Sequence, residues 1–142
     1  MTAHFFVRQA NWSTDQAALS AIRRTVFIEE QSVPPDLEWD GLDEECVHAL
    51  ALTQASEPIG CGRLLPDGNI GRMAVLKSWR RTGVGSALLN ALVSKAAEQG
   101  LDRVYVHAQT YMKKFYQHHG FKRIGDEFME AGIPHLKMIR RI

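Results

Sequence analysis

The feature that most constrains this chain is the stretch "IGRMAVLKSWRRTGVGSALLNALV", residues 70–93. Residues 70–76 are apolar enough for a strand, and Val84, Ala87, Leu88, Ala91, Leu92 and Ala96 then form an unbroken stripe at helical spacing. Gly100 stands where a helix stops, and residues 104–108 read as the next strand. Strand, helix and strand in close succession predict a right-handed parallel crossover over residues 70–108. A mixed sheet with helices on its faces follows from that unit and its neighbours.

The turn inside this unit, "RRTGVG", poses a chemical question. Glycines let a backbone approach a ligand closely, first-turn amides point outward, and the helix dipole favours negative charge there. Three phosphate motifs compete for it. A P-loop needs GxxxxGK[ST], and no lysine follows Gly85 at the required place. A dinucleotide fingerprint needs GxGxxG/A, but counting from Gly83 puts Leu88 at the third small position. What remains is Arg80-x-x-Gly83-x-Gly85, with Arg80 and Arg81 able to add charge-assisted hydrogen bonds to an anion. Taken alone, the same residues also read as a plain turn with two solvated arginines.

The rest of the chain alternates in type. Residues 4–10, 47–53, 59–65, 121–128 and 135–139 read as strands. Residues 14–31, capped by Ser13 or Thr14, and residues 111–119, capped by Thr110 and ended by Gly120, read as helices. Turns are expected at residues 56–58 and at "PDGN", residues 66–69. "SVPPDLEWDGLDEE", residues 32–45, holds two prolines, a glycine and six carboxylates and is expected as a loop. No repeat or linker interrupts the pattern, so residues 1–142 read as a single domain.

Composition narrows the partners. A formal net charge of +1 with no basic block argues against nucleic acid, whose phosphates demand a strongly basic surface. Cys46 and Cys61 form no CxxC pair and fit no zinc spacing, so reduced thiols and no metal are expected. The first residues carry no basic segment followed by a long apolar run, and no run approaches membrane-spanning length. The expectation is a cytoplasmic protein that partners neither nucleic acid nor membrane.

The strand "IGRMAVL", the turn "RRTGVG", a long helix, a strand and "FYQHHGF", residues 115–121, together resemble the GNAT superfamily of acyl-CoA-dependent N-acetyltransferases. "RRTVFIEEQSVP" (residues 23–34), "AQ" (residues 108–109) and "EAGIPHLKM" (residues 130–138) look like the ElaA-like branch of that family. The resemblance covers nearly the whole chain. One departure is Lys77, where many relatives place a proline, which loosens the turn. The implied fold is α+β (α/β/α): a mixed, mostly antiparallel sheet of six to seven strands, helices on both faces and a splayed central strand pair. The implied co-substrate is acetyl-CoA, with a small primary amine as acceptor and a homodimer as a common assembly.

Resemblance also assigns roles. Backbone groups of Met73, Ala74 and Val75 would meet the pantetheine, and an amide of Met73 or Ala74 would polarise the thioester carbonyl. Arg80, Arg81, Thr82, Gly83, Val84, Gly85 and Ser86 would hold the pyrophosphate, with Gln109 and Phe115 completing the cofactor site. The amine attacks the acetyl carbon directly, and Tyr116 is the candidate acid for the departing thiolate; its phenol, at a reference pKa of about 10, suits that donation. At helical spacing Tyr116 also reads as a core aromatic. The base stays open among Glu30, His48, His107, Glu130 and His135. Glu30 and His135 rank first, because each lies in an irregular motif rather than a periodic one.

Charged residues outside these motifs read in two ways. Arg63 and Arg72, if they share a face of adjacent strands, could bind an acidic substrate; pairing with Glu29, Glu30, Asp36, Glu38, Asp40 and Asp43 is the preferred reading. Alternatively the acidic residues 36–45 draw in a cationic amine. Competing functional classes are a thiol enzyme using Cys46 or Cys61, a non-catalytic acyl-CoA-binding module, and a protein-lysine acetyltransferase. The short chain without an acidic docking domain favours a small amine over a protein.

Overall fold

The computed structural model describes residues 4–142. The N-terminal reading above includes residues 1–3, which lie outside the described residues. Seven strands form one sheet in the order β1-β2-β3-β4-β5-β7-β6: β1 (Phe5–Ala10), β2 (Val47–Thr53), β3 (Pro58–Leu64), β4 (Asn69–Val75), β5 (Arg103–Gln109), β6 (Lys122–Glu130) and β7 (Ile133–Arg141). Every neighbouring pair is antiparallel except β4 and β5, which are parallel and joined by the helix α3 (Val84–Glu98). This is the mixed, mostly antiparallel α+β sheet that the resemblance implies.

Two cores lie on opposite faces. On one, α3 buries Val84, Leu88, Leu89, Leu92, Val93 and Ala96 against Ile59, Ile70, Val104, Val106 and Leu136. Each such aliphatic contributes roughly 1.5–3 kcal/mol on leaving water. Gly62 lets α3 come this close, because a Cβ there would collide with Met73 Sδ and Leu92. On the other face, Leu19, Ile22, Val26 and Phe27 pack on Leu50, Leu52, Cys61 and Ala74.

The first helix departs from expectation in an informative way. It begins earlier, as α1 (Trp12–Arg23), because Asn11 is the cap: its side chain accepts from the Ser13 N–H at 2.9 Å, so neither Ser13 nor Thr14 plays that part. Beyond Arg23 the helix widens into a π-helical segment, Arg24–Glu30. Such segments are rare and concentrate at functional sites, where they re-aim side chains. Residues 32–45 are irregular but hold two short turns, α2 (Pro35–Glu38) and a 3-10 turn at Asp43–Glu45. The helix expected at 111–119 is a 3-10 turn (Thr110–Met112) followed by α4 (Lys113–His118), and no side-chain cap holds either. The strands β6 and β7 run longer than their apolar cores suggest, since the cross-strand ladder carries polar residues along with apolar ones.

Candidate active site

Between β4 and β5 the sheet opens. The two pair only at Asn69↔Tyr105 and Ile70↔Val106, and beyond that point they part. The cause lies on β4. Against β3 its register shifts between Gly71↔Arg63 and Ala74↔Cys61, so β4 carries one extra residue there. Arg72, at φ +50°, sits in that bulge. Past it, Leu76 donates to the Ile59 carbonyl, and the alternation of an antiparallel ladder turns the Ala74 main chain to β3. Val75 presents its own to the open side, and Met73 lies within the bulge. Ala74, expected beside them, spends its main chain on the sheet.

The glycine turn stands at the mouth of this opening. Gly83, at φ +94°, is the N-cap of α3 and offers no side chain to cap the helix. The first amides of α3 are therefore donors without a capping partner, and a Cβ at Gly83 would meet nothing within 4 Å. Uncapped amides, the positive end of a fifteen-residue helix and an open approach suit an anion such as a phosphate group. Gly85 lies against Phe115 and Val75, with the ring atom of Phe115 3.6 Å from where a Cβ would be. Ser86 Oγ is 2.9 Å from His119 Nε2, which ties the first turn of α3 to α4. Arg81 (φ +64°) and Thr82 are exposed.

Arg80 is engaged elsewhere. Its guanidinium forks onto Glu30 at 2.7 Å and 2.7 Å, while its Nε donates to the Val75 carbonyl at 3.0 Å. The Arg80 hydrogen bonds hold the Glu30 carboxyl below its ordinary range, which makes Glu30 a weak proton acceptor. The next residue, Gln31, reaches the other side of the opening. It exchanges an amide hydrogen bond with Gln109 at the end of β5 (2.8 Å) and donates to Tyr111 Oη (3.2 Å). The end of the π-helical segment thus spans the splayed strands. Gln31 and Tyr111 were not legible as site residues, because nothing in the sequence places residue 31 beside residue 109.

Tyr116 is buried in α4, edge-on to Phe115 (5.1 Å) and Phe121 (5.6 Å). Burial pushes its phenol well above the ordinary tyrosine value, with the neighbouring Tyr111 adding to the rise. Gln31 joins Tyr111 to Gln109, and its neighbour Glu30 holds Arg80, so these five residues border one opening.

On the far wall, His135 stands directly opposite Gln109 on β7. Its Nδ1 is 2.6 Å from the Ile133 carbonyl, and its Nε2 is 3.6 Å from Glu130 Oε2. His107 Nδ1 lies 3.1 Å from the other oxygen, Oε1. The His107 hydrogen bond keeps Glu130 below the usual carboxylate range despite partial burial. Phe128 stacks on His135 (5.9 Å, 26°) and meets His107 edge-on (5.2 Å, 81°). His48 is remote from this group: buried on β2, it stacks on Trp12, contacts the Asp43 carbonyl at 2.8 Å, and burial lowers its pKa.

The remaining arginines pair as the preferred reading has it. Arg23 bonds Glu38 (2.8 Å) and Asp43 (2.7 Å), Arg63 bonds Asp40 and Asp43, and Arg72 lies 3.0 Å from Glu38 and 3.2 Å from Asp40. Trp12 and Trp39 cover the Arg23 guanidinium at 5.5 Å and 5.0 Å. Their partners leave neither Arg63 nor Arg72 free for an acidic substrate, and Glu38, Asp40 and Asp43 have no charge to spare for a cationic one. Burial pushes the Cys61 thiol up to about 12 and the Cys46 thiol up to about 11, so both stay protonated and poorly nucleophilic. Among the described residues no group of histidine, cysteine or carboxylate side chains is arranged to hold a metal, and no helix is long and apolar enough to cross a membrane.

A splayed parallel pair, a bulged β4 and an uncapped helix after a glycine turn define an acetyltransferase architecture, and the comparisons agree. The family model described as "Acetyltransferase (GNAT) domain" matches residues 11–142. The chain belongs to that family of N-acetyltransferases. It is 39% identical to the uncharacterized N-acetyltransferase YjcF of Bacillus subtilis (strain 168), over 84% of this chain and 87% of the relative. Escherichia coli ElaA, at 28% identity, superposes with a TM-score of 0.85 over 95% of this chain and 99% of its own. A GNAT acetyltransferase from Elizabethkingia anophelis with acetyl-CoA bound shares the fold, at 16% identity and a TM-score of 0.72 over 98% and 99% of the two chains.

Proposed function

We propose that this enzyme moves an acetyl group from acetyl-CoA to a small primary amine by direct attack. The observation that carries the reading is the uncapped first turn of α3, which stands at the mouth of the opening between β4 and β5. Acetyl-CoA bound to a fold neighbour supports the choice of co-substrate. The pyrophosphate would rest on the amides of Val84, Gly85 and Ser86, with Gly83 giving it room. Pantetheine would pair with the edge of β4, where the Val75 carbonyl must first be released by Arg80. A main-chain N–H at the bulge would face the carbonyl oxygen as charge develops on it.

The bond changes follow. The amine nitrogen attacks the acetyl carbon, the tetrahedral intermediate collapses, and the C–S bond breaks with its electron pair going to sulfur. Tyr116 supplies a proton to that thiolate. A raised phenol does not disqualify it, because burial raises a thiol as well, as Cys61 illustrates in this same protein. Donor and acceptor share one environment, so proton transfer between them is less uphill than either value implies. His135 is the better candidate for the base and Glu30 the weaker, since Arg80 holds the latter's carboxylate.

The test is acetyl-CoA consumption over a panel of amines, with Tyr116→Phe as the control. The variant should bind acetyl-CoA as the parent does and lose about a hundredfold in kcat, the ordinary worth of a general acid. Unchanged turnover would remove Tyr116 from the mechanism.

A further inference from the structure

We infer that His107, Glu130 and His135 form the acceptor subsite, which captures its substrate as an alkylammonium ion and takes the proton at His135 Nε2. The inference rests on the acyltransferase reading and names the substrate class for that site.

A backbone carbonyl only accepts, so the 2.6 Å contact between His135 Nδ1 and the Ile133 oxygen fixes the proton of neutral His135 on Nδ1. Its Nε2 is then a bare lone pair. That lone pair sits 3.6 Å from Oε2 of Glu130, which is also an acceptor. Two acceptors facing one another repel unless a donor lies between or beside them. An ammonium group has three N–H donors and a positive charge, and it satisfies both at once. Glu130 is ready for that role: its second oxygen is already held by His107 at 3.1 Å, so the carboxylate is fixed and ionised.

Position supports the same conclusion. His135 pairs with Gln109, the last residue of β5, which borders the opening where β4 and β5 part. Phe128 lies across His135 and His107 and fixes the orientation of both rings. The charged groups around the trio come from three elements. Arg72, from β4, lies near enough to Glu130 to lower its pKa and is itself bonded to Glu38 and Asp40. Lys137, opposite His107, turns its ammonium over the Tyr105 ring at 4.8 Å. Glu30, from the π-helical segment, is occupied by Arg80.

The chemistry then balances. The bound R–NH3+ gives one proton to His135 Nε2 and becomes the nucleophile. Attack forms the N–C bond, cleavage of C–S leaves a thiolate that takes the Tyr116 proton, and the second N–H proton restores the Tyr116 phenol. One proton is left over. Glu130 and His107 are about half exposed and lead it from His135 to solvent.

The experiment uses the full chain and has two arms. Calorimetry measures acetyl-CoA binding; turnover is measured with butylamine, phenethylamine and agmatine, and with aniline and its methoxy derivative, which are neutral at pH 7. The inference expects alkylamines to be acetylated and anilines to be poor acceptors. Glu130→Gln should raise KM for the best alkylamine about tenfold or more, with acetyl-CoA affinity and thermal stability unchanged. His135→Asn keeps a donor to the Ile133 carbonyl but deletes the Nε2 acceptor. Its kcat should fall about a hundredfold at neutral pH and recover as the pH approaches the amine's own pKa. Acceptors confined to anilines, no alkylamine acetylated, an unaltered amine KM in Glu130→Gln, or a loss in His135→Asn that is equal at every pH would each overturn the inference alone. Failure of the parent chain to bind acetyl-CoA would overturn the acyltransferase reading and this inference with it.

Discussion

Arg23, Arg63 and Arg72 meet Glu38, Asp40 and Asp43 in a network whose centre, Arg23, Glu38, Asp43 and Arg63, is nearly out of water, whereas Arg80 meets Glu30 at the surface of the cleft. The side chains of Arg23 and Glu38 are 1% and 3% exposed; those of Arg80 and Glu30 are 36% and 40% exposed. The bonds are alike in length and differ in consequence. Buried charges cannot be left single, so the three-by-three network pins an otherwise irregular segment onto the sheet. An exposed pair exchanges its partners cheaply, so Arg80 can trade Glu30 for a phosphate. The same chemistry serves as a fixed joint in one place and as a releasable contact in the other.

The largest effect that separates the two is on stability. Arg23→Ala would take one of two arginine partners from each of Glu38 and Asp43, leaving them Arg72 and Arg63, and should cost roughly 3 kcal/mol in urea unfolding. A loss below about 1 kcal/mol would show that the network is dispensable.

Acid comes next. Burial pushes Asp40 upward, but hydrogen bonds from Arg63 and the Leu42 amide outweigh it and hold the carboxyl at about 2; Asp43 is lowered by the same balance with Arg23 and Arg63. Carboxyls depressed in the folded state stabilise it above their unfolded pKa, near 4, and that contribution drains away as the pH falls toward 2. Glu38, raised by burial, works weakly the other way. Unfolding free energy should therefore drop between about pH 4 and pH 2, and the drop should shrink in Asp40→Asn. An acid profile identical in the variant would separate Asp40 from the network.

The smallest effect belongs to the exposed pair. Glu30→Gln should change stability by less than about 1 kcal/mol. It should also tighten acetyl-CoA binding, because Arg80 no longer has to leave a carboxylate. If instead kcat collapses while acetyl-CoA binding stays the same, Glu30 is the base and the releasable contact is misread.

How much of this was legible in the sequence depends on whether the determinant is local. The turn at Gly83, the stripe along α3 and the strand before it are each written within a few consecutive residues, and they appear as expected. The ion pairs of Arg63 and Arg72 followed from simple charge proximity. The cap at Asn11 was missed because Ser13 and Thr14 are equally good cap types two and three residues on, and only geometry selects among them. The π-helical widening was invisible, since residues 24–30 keep roughly helical spacing. The Gln31–Gln109 bridge and the Glu130 contacts of His107 and His135 join residues far apart in the chain, and only the register of β5, β6 and β7 brings them together.

The uncapped start of α3 is the proposed seat of the co-substrate. Calorimetry of acetyl-CoA against the parent chain and Gly83→Val tests it most directly. Valine at φ +94° strains the turn by about 1–2 kcal/mol and fills the approach to the amides. The predicted result is one acetyl-CoA per chain for the parent and at least about a tenfold loss of affinity in a variant that still unfolds cooperatively. Equal affinity in the two proteins would contradict it.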